Sequence, residues 1–446
     1  MQVVIIGNGI AGITAAITIR KLSDHPITVV SSESDYFFSR TALMYLYMGH
    51  MKPANIKPYG DWFWKENKIN LLRAHVQSVH PETNSIRLAD NTFLPYDRLL
   101  IATGSVSVRF DWPGQHLKGV QSLYGLQDLE QMEARSPTVR RAVIVGGGLT
   151  GIEMAEMFHT RHIPVTFLVR DTNYWGNVLP EEEAMMVAEE IRRHGIDLRL
   201  GTGLREILGN GEESVRAVVT AEVEEIPCDF GGVTIGVKPN IGFLQNSPVQ
   251  TSRGVLVNQY LETNVEQVYA AGDCAEFADP LPGHPPVEQL WYTGRMQGET
   301  VGYTICGQRK KYERGVWFNS AKFFTIEFQT YGQVRPLPEA GETSLFWQHP
   351  GGKKSIRINY QKESGAVTGF TLLGVRYRHE VCDRWIREGR DMKQVLQHLG
   401  EANFDPEFFR QHEQDLVDLY NRQNPGQDLT LKRRRGLRGL FSRKLA

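Results

Sequence analysis

The chain has 446 residues, of which 41% are hydrophobic and 23% charged, with a net charge of −1. This is ordinary globular composition with room for two or three domains, and it gives no bulk positive charge for binding nucleic acid. The four cysteines, Cys228, Cys274, Cys306 and Cys382, make no CxxC or CxxxxC pair, which argues against a secreted disulfide framework, a zinc ribbon and a local redox disulfide.

The first twenty residues are apolar but lack the basic start of a secretory signal, and no apolar run reaches membrane-span length without interruption, so a cytoplasmic protein is expected. Val3 to Ile6 reads as a buried parallel strand. Gly7-Asn8-Gly9-Ile10-Ala11-Gly12 follows, then a helix to about Leu22 and, after Pro26, a second strand from Ile27 to Val30. In such a βαβ unit the first glycine allows the tight turn, the second lets the backbone approach a diphosphate, and the third lets helix pack on strand. Ser31 stands where an acid usually meets the adenosine ribose, and Glu33, two residues on, is the other candidate.

The unit recurs. Ala142 to Val145 is a strand, Gly146-Gly147-Gly148-Leu149-Thr150-Gly151 is a second glycine motif, a helix starts at about Ile152, and Val165 to Val169 is the next strand. The copies are offset by 139 residues without a gap through Ser31 and Arg170. Two dinucleotide sites imply two dinucleotides, one the electron donor and one a bound carrier. Arg170 can pair with the 2′-phosphate of NADPH, whereas Asp171 keeps NADH open by offering an acid to a ribose hydroxyl. The reading leans to NADPH. The histidines show no paired metal spacing, so no metal is expected.

From about Tyr312 the pattern changes. Val316 to Phe328, Ser355 to Tyr360 and Val367 to Val375 read as strands, and Arg384 to Tyr420 as helices. Leu431 to Ala446 mixes Lys432, Arg433, Arg434, Arg435, Arg438, Arg443 and Lys444 with Leu437, Leu440, Phe441 and Leu445. It reads either as a disordered tail or as a basic, partly amphipathic helix for anionic lipid or an acidic partner.

With these motifs in place the chain resembles the FAD/NAD(P)-dependent pyridine-nucleotide oxidoreductases. Tyr96 to Ser105 is similar to that family's strand and ATG crossing, with Ala102, Thr103 and Gly104. Ile235 to Asn240, with Gly236, is similar to the return crossing, and Val268 to Cys274 to the second FAD motif, where Asp273 beside Gly272 would hold the ribityl chain. The segment Phe37 to Gly49, with Arg40, resembles the branch of NADH oxidases, coenzyme A-disulfide reductases and ferredoxin or rubredoxin reductases. Thr41 stands near the place of that branch's redox cysteine and can form neither a mixed disulfide nor a sulfenic acid. Tyr45 aligns with a Lys found in many ferredoxin reductases.

The resemblance implies an α/β fold of two Rossmann-like, three-layer dinucleotide-binding domains of the glutathione reductase type plus an α+β C-terminal domain. The FAD domain would be discontinuous, 1–111 with 240–312. The NAD(P) domain would span 112–239, the lid and dimerisation domain 313–425, and the basic tail 426–446. It further implies FAD contacts from Gly7, Gly9, Ile10, Ala11, Gly12, Ser31 or Glu33, Arg40, Val76, the two crossings, Gly272, Asp273, Gln289, Leu290 and Trp291. NAD(P)H contacts would come from Gly146, Gly148, Leu149, Thr150, Gly151 and Arg170, with Glu153 near the nicotinamide and flavin. A homodimer is expected. Without a redox cysteine, electrons would leave FAD directly for an iron–sulfur or rubredoxin-type protein. A membrane-surface NAD(P)H:quinone reductase and a flavin-bearing redox-sensing interaction protein are the other readings.

Overall fold

The structure, a computed structural model, describes residues 1–211, 213–405, 407–408 and 410–432. Most of the basic tail therefore lies outside the described residues. The chain divides into two compact units, 1–167 with 203–314, and 168–202 with the segment from 315 onward.

The first unit is built on a parallel sheet. Strand β1 (Val3–Ile6) lies between β2 (Ile27–Ser31) and β3 (Arg98–Ile101), with β6 (Val268–Ala270) beyond β3 and Ile69–Arg73 beyond β2. All four side chains of β1 are buried, as an unalternating apolar run requires when both faces are covered. Each contributes roughly 2 kcal/mol by leaving water.

Helix α1 (Ile10–Leu22) buries Ala11, Ile13, Ala15, Ala16 and Ile19. Against it lies α3 (Trp291–Ile305), whose Gly294, Gly298 and Gly302 let the backbones meet. A Cβ at Gly298 would stand 2.3 Å from the Ala11 carbonyl oxygen. The same unit carries β4 (Ala142–Val145), helix α2 (Leu149–Thr160) and β5 (Phe230–Val233). Strands β4 and β5 pair in parallel, and Phe158 packs edge-on against Phe230 at 4.7 Å. The crossings Ser105–Ser107 and Val237–Pro239 pair antiparallel.

The second unit holds an antiparallel sheet in the order Phe318–Phe323, Ile326–Gly332, Val367–Leu373, Ser355–Gln361, Glu342–Gln348. Helices His379–Arg387, Met392–His398 and Glu413–Gln423 cover it through Trp385, Leu396 and Leu416. Helix Glu181–Arg193 joins this unit through a buried ion pair, in which Arg357 donates to Glu183 at 2.7 and 2.9 Å and to Glu182 at 2.7 Å.

Two sequence expectations change here. The run Val316 to Phe328 is two strands, because Phe324 takes a left-handed φ of 52° and turns the chain between the cross-strand pair Phe323 and Ile326. The edge strand Glu342–Gln348 escaped the sequence reading. Among the described residues no helix is long and apolar enough to cross a membrane, and no three His, Cys, Asp or Glu residues gather as metal ligands.

Candidate functional site

The parallel strands of the first unit stop in register at their carboxyl ends. Ile6 lies beside Val30 and Ile101, and Ile101 beside Ala270. The residues that follow are thereby gathered at one edge, the usual place for a ligand in an open parallel sheet: Gly7 after β1, Ser31 and Glu33 at β2, Ala102 to Gly104 after β3, Gly272 and Asp273 after β6.

The glycines of the first motif divide the work. Gly7 has φ +113°, and a Cβ there would stand 2.1 Å from the Ala102 carbonyl oxygen. A Cβ at Gly12 would stand 2.1 Å from the Gly7 carbonyl oxygen and 3.1 Å from Ile5 Cγ2. A Cβ at Gly9 would meet nothing within 4 Å. The outer glycines thus make the turn, and the middle one leaves open space at the start of α1. Ile13 N–H is the donor that reaches the Gly9 carbonyl, at 3.0 Å. The N–H groups of Ile10, Ala11 and Gly12 precede it, at the helix positions that lack an intrahelical acceptor. Open space and aligned donors fit the diphosphate of a dinucleotide.

The second motif repeats this geometry. Gly146 has φ +118° and its Cβ would stand 2.4 Å from the Thr234 carbonyl oxygen. A Cβ at Gly151 would stand 2.1 Å from the Gly146 carbonyl oxygen and 3.0 Å from Phe167 Cε2, whereas one at Gly148 would meet nothing within 4 Å. Leu149 and Thr150 open α2, and Glu153 follows in its first turns. Burial, and then the charge of Glu156, push the Glu153 carboxyl up to about 7.

Hydrogen bonds join the predicted residues around the first cradle. The Ser105 hydroxyl donates to Asp273 at 3.0 Å and accepts from Gln289 at 2.9 Å. Burial raises the Asp273 carboxyl above its ordinary range, against the Ser105 hydrogen bond and the Arg40 charge, which lower it. Thr103 donates to the Asn240 carbonyl at 2.7 Å, tying the outgoing crossing to the return. Gly104 and Gly236 take left-handed φ values of +67° and +111° in these crossings. Arg40 donates to Glu33 at 2.9 and 2.5 Å and to the Tyr124 carbonyl at 2.8 Å, with its guanidinium 4.6 Å from the Tyr124 ring centre. Glu33 also accepts from Leu126 N–H at 2.9 Å, so its carboxylate is engaged with protein donors. The Ser31 hydroxyl accepts from Glu33 N–H at 3.2 Å. Leu290 precedes α3 and Trp291 opens it, half-buried and edge-on to Tyr292 at 5.3 Å.

Two further predicted residues are not among the partners in these hydrogen bonds. Val76 is buried at the start of strand Val76–His80, in a separate three-stranded sheet. Arg170 belongs to the second unit, where its side chain is 88% exposed and 3.7 Å from Asp171.

Three residues of this network carried no assigned role in the sequence reading. Asn8 is buried and donates to the carbonyls of Ser34 at 3.0 Å and Tyr36 at 3.1 Å, pinning the loop after β2. An amide between the first two glycines was a signal for such a role. Ser105 follows the ATG crossing directly and could have been found by that position. Tyr124, whose hydroxyl accepts from Ser105 N–H at 2.9 Å, had no sequence signal, since the contact spans 19 residues of loop and strand.

Comparison with known proteins agrees with this geometry. The family pattern described as pyridine nucleotide-disulphide oxidoreductase matches residues 1–298. The chain is 31% identical to a rubredoxin-NAD(+) reductase of Acinetobacter baylyi, over 83% of this chain and 94% of that protein. It is 27% identical to a nitrite reductase [NAD(P)H] of Bacillus subtilis, over 82% of this chain, and spans less than half, 45%, of that longer relative. Among solved structures, a ferredoxin reductase from Rhodopseudomonas palustris superimposes with a TM-score of 0.76 at 23% identity, covering 84% of this chain and 91% of that one.

Proposed function

Because the chain belongs to the pyridine nucleotide-disulphide oxidoreductase family, we propose that it is a reductase that takes electrons from NAD(P)H through FAD and delivers them to a small iron–sulfur or rubredoxin-type protein. It is an oxidoreductase of that family, with FAD and a nicotinamide dinucleotide as cofactors. Bound FAD supplies hydride acceptance and one-electron release, which no side chain offers. The chain supplies position and electrostatics. Gly9 and the α1 N-terminus receive one diphosphate, Gly148 and the α2 N-terminus the other, Asp273 holds the ribityl hydroxyls, and Glu153 lines the place of the nicotinamide. The assigned domains are 1–111 with 240–312 for FAD, 112–239 for NAD(P)H, and 313–425 as lid and dimer interface of a homodimer.

One observation supports direct delivery to a partner: the thiols are unsuited to a redox relay. All four cysteines are free, and three are buried. Burial raises every thiol, Cys228 to about 12, so none is poised as a thiolate.

The test is anaerobic mixing of the yellow protein with NADH or NADPH, then with candidate acceptors. Fast flavin bleaching followed by fast reoxidation by an iron–sulfur or rubredoxin-type protein is expected. Reoxidation by quinone alone would replace this reading with the membrane-surface reductase, and no bleaching by either nucleotide would remove the second site as a hydride-donor site. Arg170 decides the nucleotide in this proposal. Arg170→Ala is expected to raise KM for NADPH about tenfold, through loss of one charge-assisted contact, and to leave KM for NADH within about twofold. Equal effects on the two nucleotides would refute that role.

A further inference from the structure

We infer that Glu288 and Gln297 form a relay that positions the Gly272–Asp273 turn for FAD. The inference rests on the FAD reading of that turn and adds two residues to which that reading gives no role.

Glu288 is a carboxylate with 1% of its surface exposed. Such burial costs several kcal/mol unless donors surround the charge. Here they do. Tyr312 donates its hydroxyl at 2.6 Å, Arg314 a guanidinium N–H at 3.0 Å, and Gln297 its amide nitrogen at 3.4 Å. The Tyr312 phenol is raised by burial and by the Glu288 charge. Tyr312 stacks on Phe277 at 5.4 Å with the rings 10° apart.

Gln297 is fully buried within α3. Its amide nitrogen faces the Glu288 carboxylate, which fixes the flip of the amide. The carbonyl oxygen must then point the other way, and there it accepts the Gly272 N–H at 2.7 Å. Gly272 has φ +79°, a conformation that L residues adopt at a cost, and a Cβ there would stand 2.9 Å from Ala11 Cβ. The turn is therefore held on one side by the first turn of α1 and on the other by Gln297. The next residue is Asp273, bonded to Ser105. Rotation of the Gln297 amide would set its NH2 against the Gly272 N–H, donor against donor. The acid at 288 makes that state unfavourable, and in this way it acts on Asp273 through Gln297.

The experiment compares the FAD-bound parent with Gln297→Met, Glu288→Gln and the double variant. It reads the rate of FAD release by fluorescence, the visible circular dichroism of bound flavin, and the thermal midpoint of each apoprotein. Loss of one buried hydrogen bond is expected to speed FAD release about tenfold in Gln297→Met. The flavin dichroism should change with it, and the apoprotein midpoint should fall as the buried Gly272 N–H loses its acceptor. The double variant should release FAD at the rate of Gln297→Met, because both changes break one chain of contacts. A Gln297→Met release rate within twofold of the parent would overturn the relay, as would rates that multiply in the double variant. Gln297→Met keeps the length of the side chain, so its release rate decides the matter even where Glu288→Gln cannot be isolated. A parent protein that holds no FAD would instead overturn the proposed function.

Discussion

Gly12→Ala is expected to yield a chain that folds poorly and retains no FAD, whereas Gly9→Ala is expected to fold as the parent does and lose FAD affinity alone. The two glycines stand three residues apart in one motif, but their surroundings differ. The methyl group at Gly12 would lie 2.1 Å from the Gly7 carbonyl oxygen, a backbone atom that moves only if β1 or α1 moves. Overpacking of this kind costs about 3 kcal/mol, and the displaced element is the one that carries the cradle. The methyl group at Gly9 meets nothing within 4 Å. Replacing a glycine N-cap by alanine costs at most about 1 kcal/mol of helix stability. It fills the space assigned to the diphosphate.

The second motif provides an internal control. Gly151→Ala should destabilise through the Gly146 carbonyl and Phe167, while Gly148→Ala should leave a yellow, folded protein with KM for NAD(P)H raised at least about tenfold, the equivalent of 1.4 kcal/mol. Thermal midpoints, flavin content and steady-state KM values check all four variants. Parental FAD affinity in Gly9→Ala would show that the open space is not where the diphosphate lies.

Glu153→Gln is expected to stabilise the protein at pH 8 and to remove a pH dependence centred near neutrality. The Glu153 carboxyl is pushed up to about 7, by burial first and then by the Glu156 charge. The folded chain therefore holds a proton at pH values where the unfolded chain has released it. Stability from this group is full below the ordinary carboxyl range, declines as the pH rises, and is lost above about 7. The span from the ordinary range to about 7 corresponds to roughly 3 kcal/mol, an upper figure because part of the side chain meets solvent. The glutamine variant carries no such charge, so its advantage over the parent should grow between pH 5 and pH 8, as chemical denaturation of the apoprotein would show. With nucleotide present, the rate of flavin bleaching by NAD(P)H should inflect near pH 7 in the parent and not in the variant. A stability difference that is flat with pH would mean that Glu153 ionises normally.

The local rules were legible in the chain itself. Unalternating runs such as Val3–Ile6 and Ala142–Val145, each followed by glycines at fixed spacing and an apolar helix, specify a βαβ unit wherever they fall, because turn geometry and helix packing depend only on neighbouring residues. The repeat at 139 residues, the ordered crossings, and Asp273 after a left-handed glycine were readable for the same reason.

What only the tertiary structure decided involves partners distant in sequence. Glu33 is a candidate for the ribose in the sequence, and only folding adds Arg40 and Leu126 as donors to its carboxylate. In the run Val316 to Phe328 the reversal falls on Phe323-Phe324-Thr325, with none of the Gly, Asn or Pro that usually marks a turn, so it became visible only with the antiparallel ladder. Glu288 and Gln297 are ordinary polar residues in the sequence. They become a buried carboxylate with three donors and an amide with a fixed flip only when α3 lies on α1 and residues 312 to 314 close over them. Pattern and spacing carry the backbone path, whereas a buried polar group takes its role from whichever donors and acceptors the packed chain brings within 3 Å or so of it.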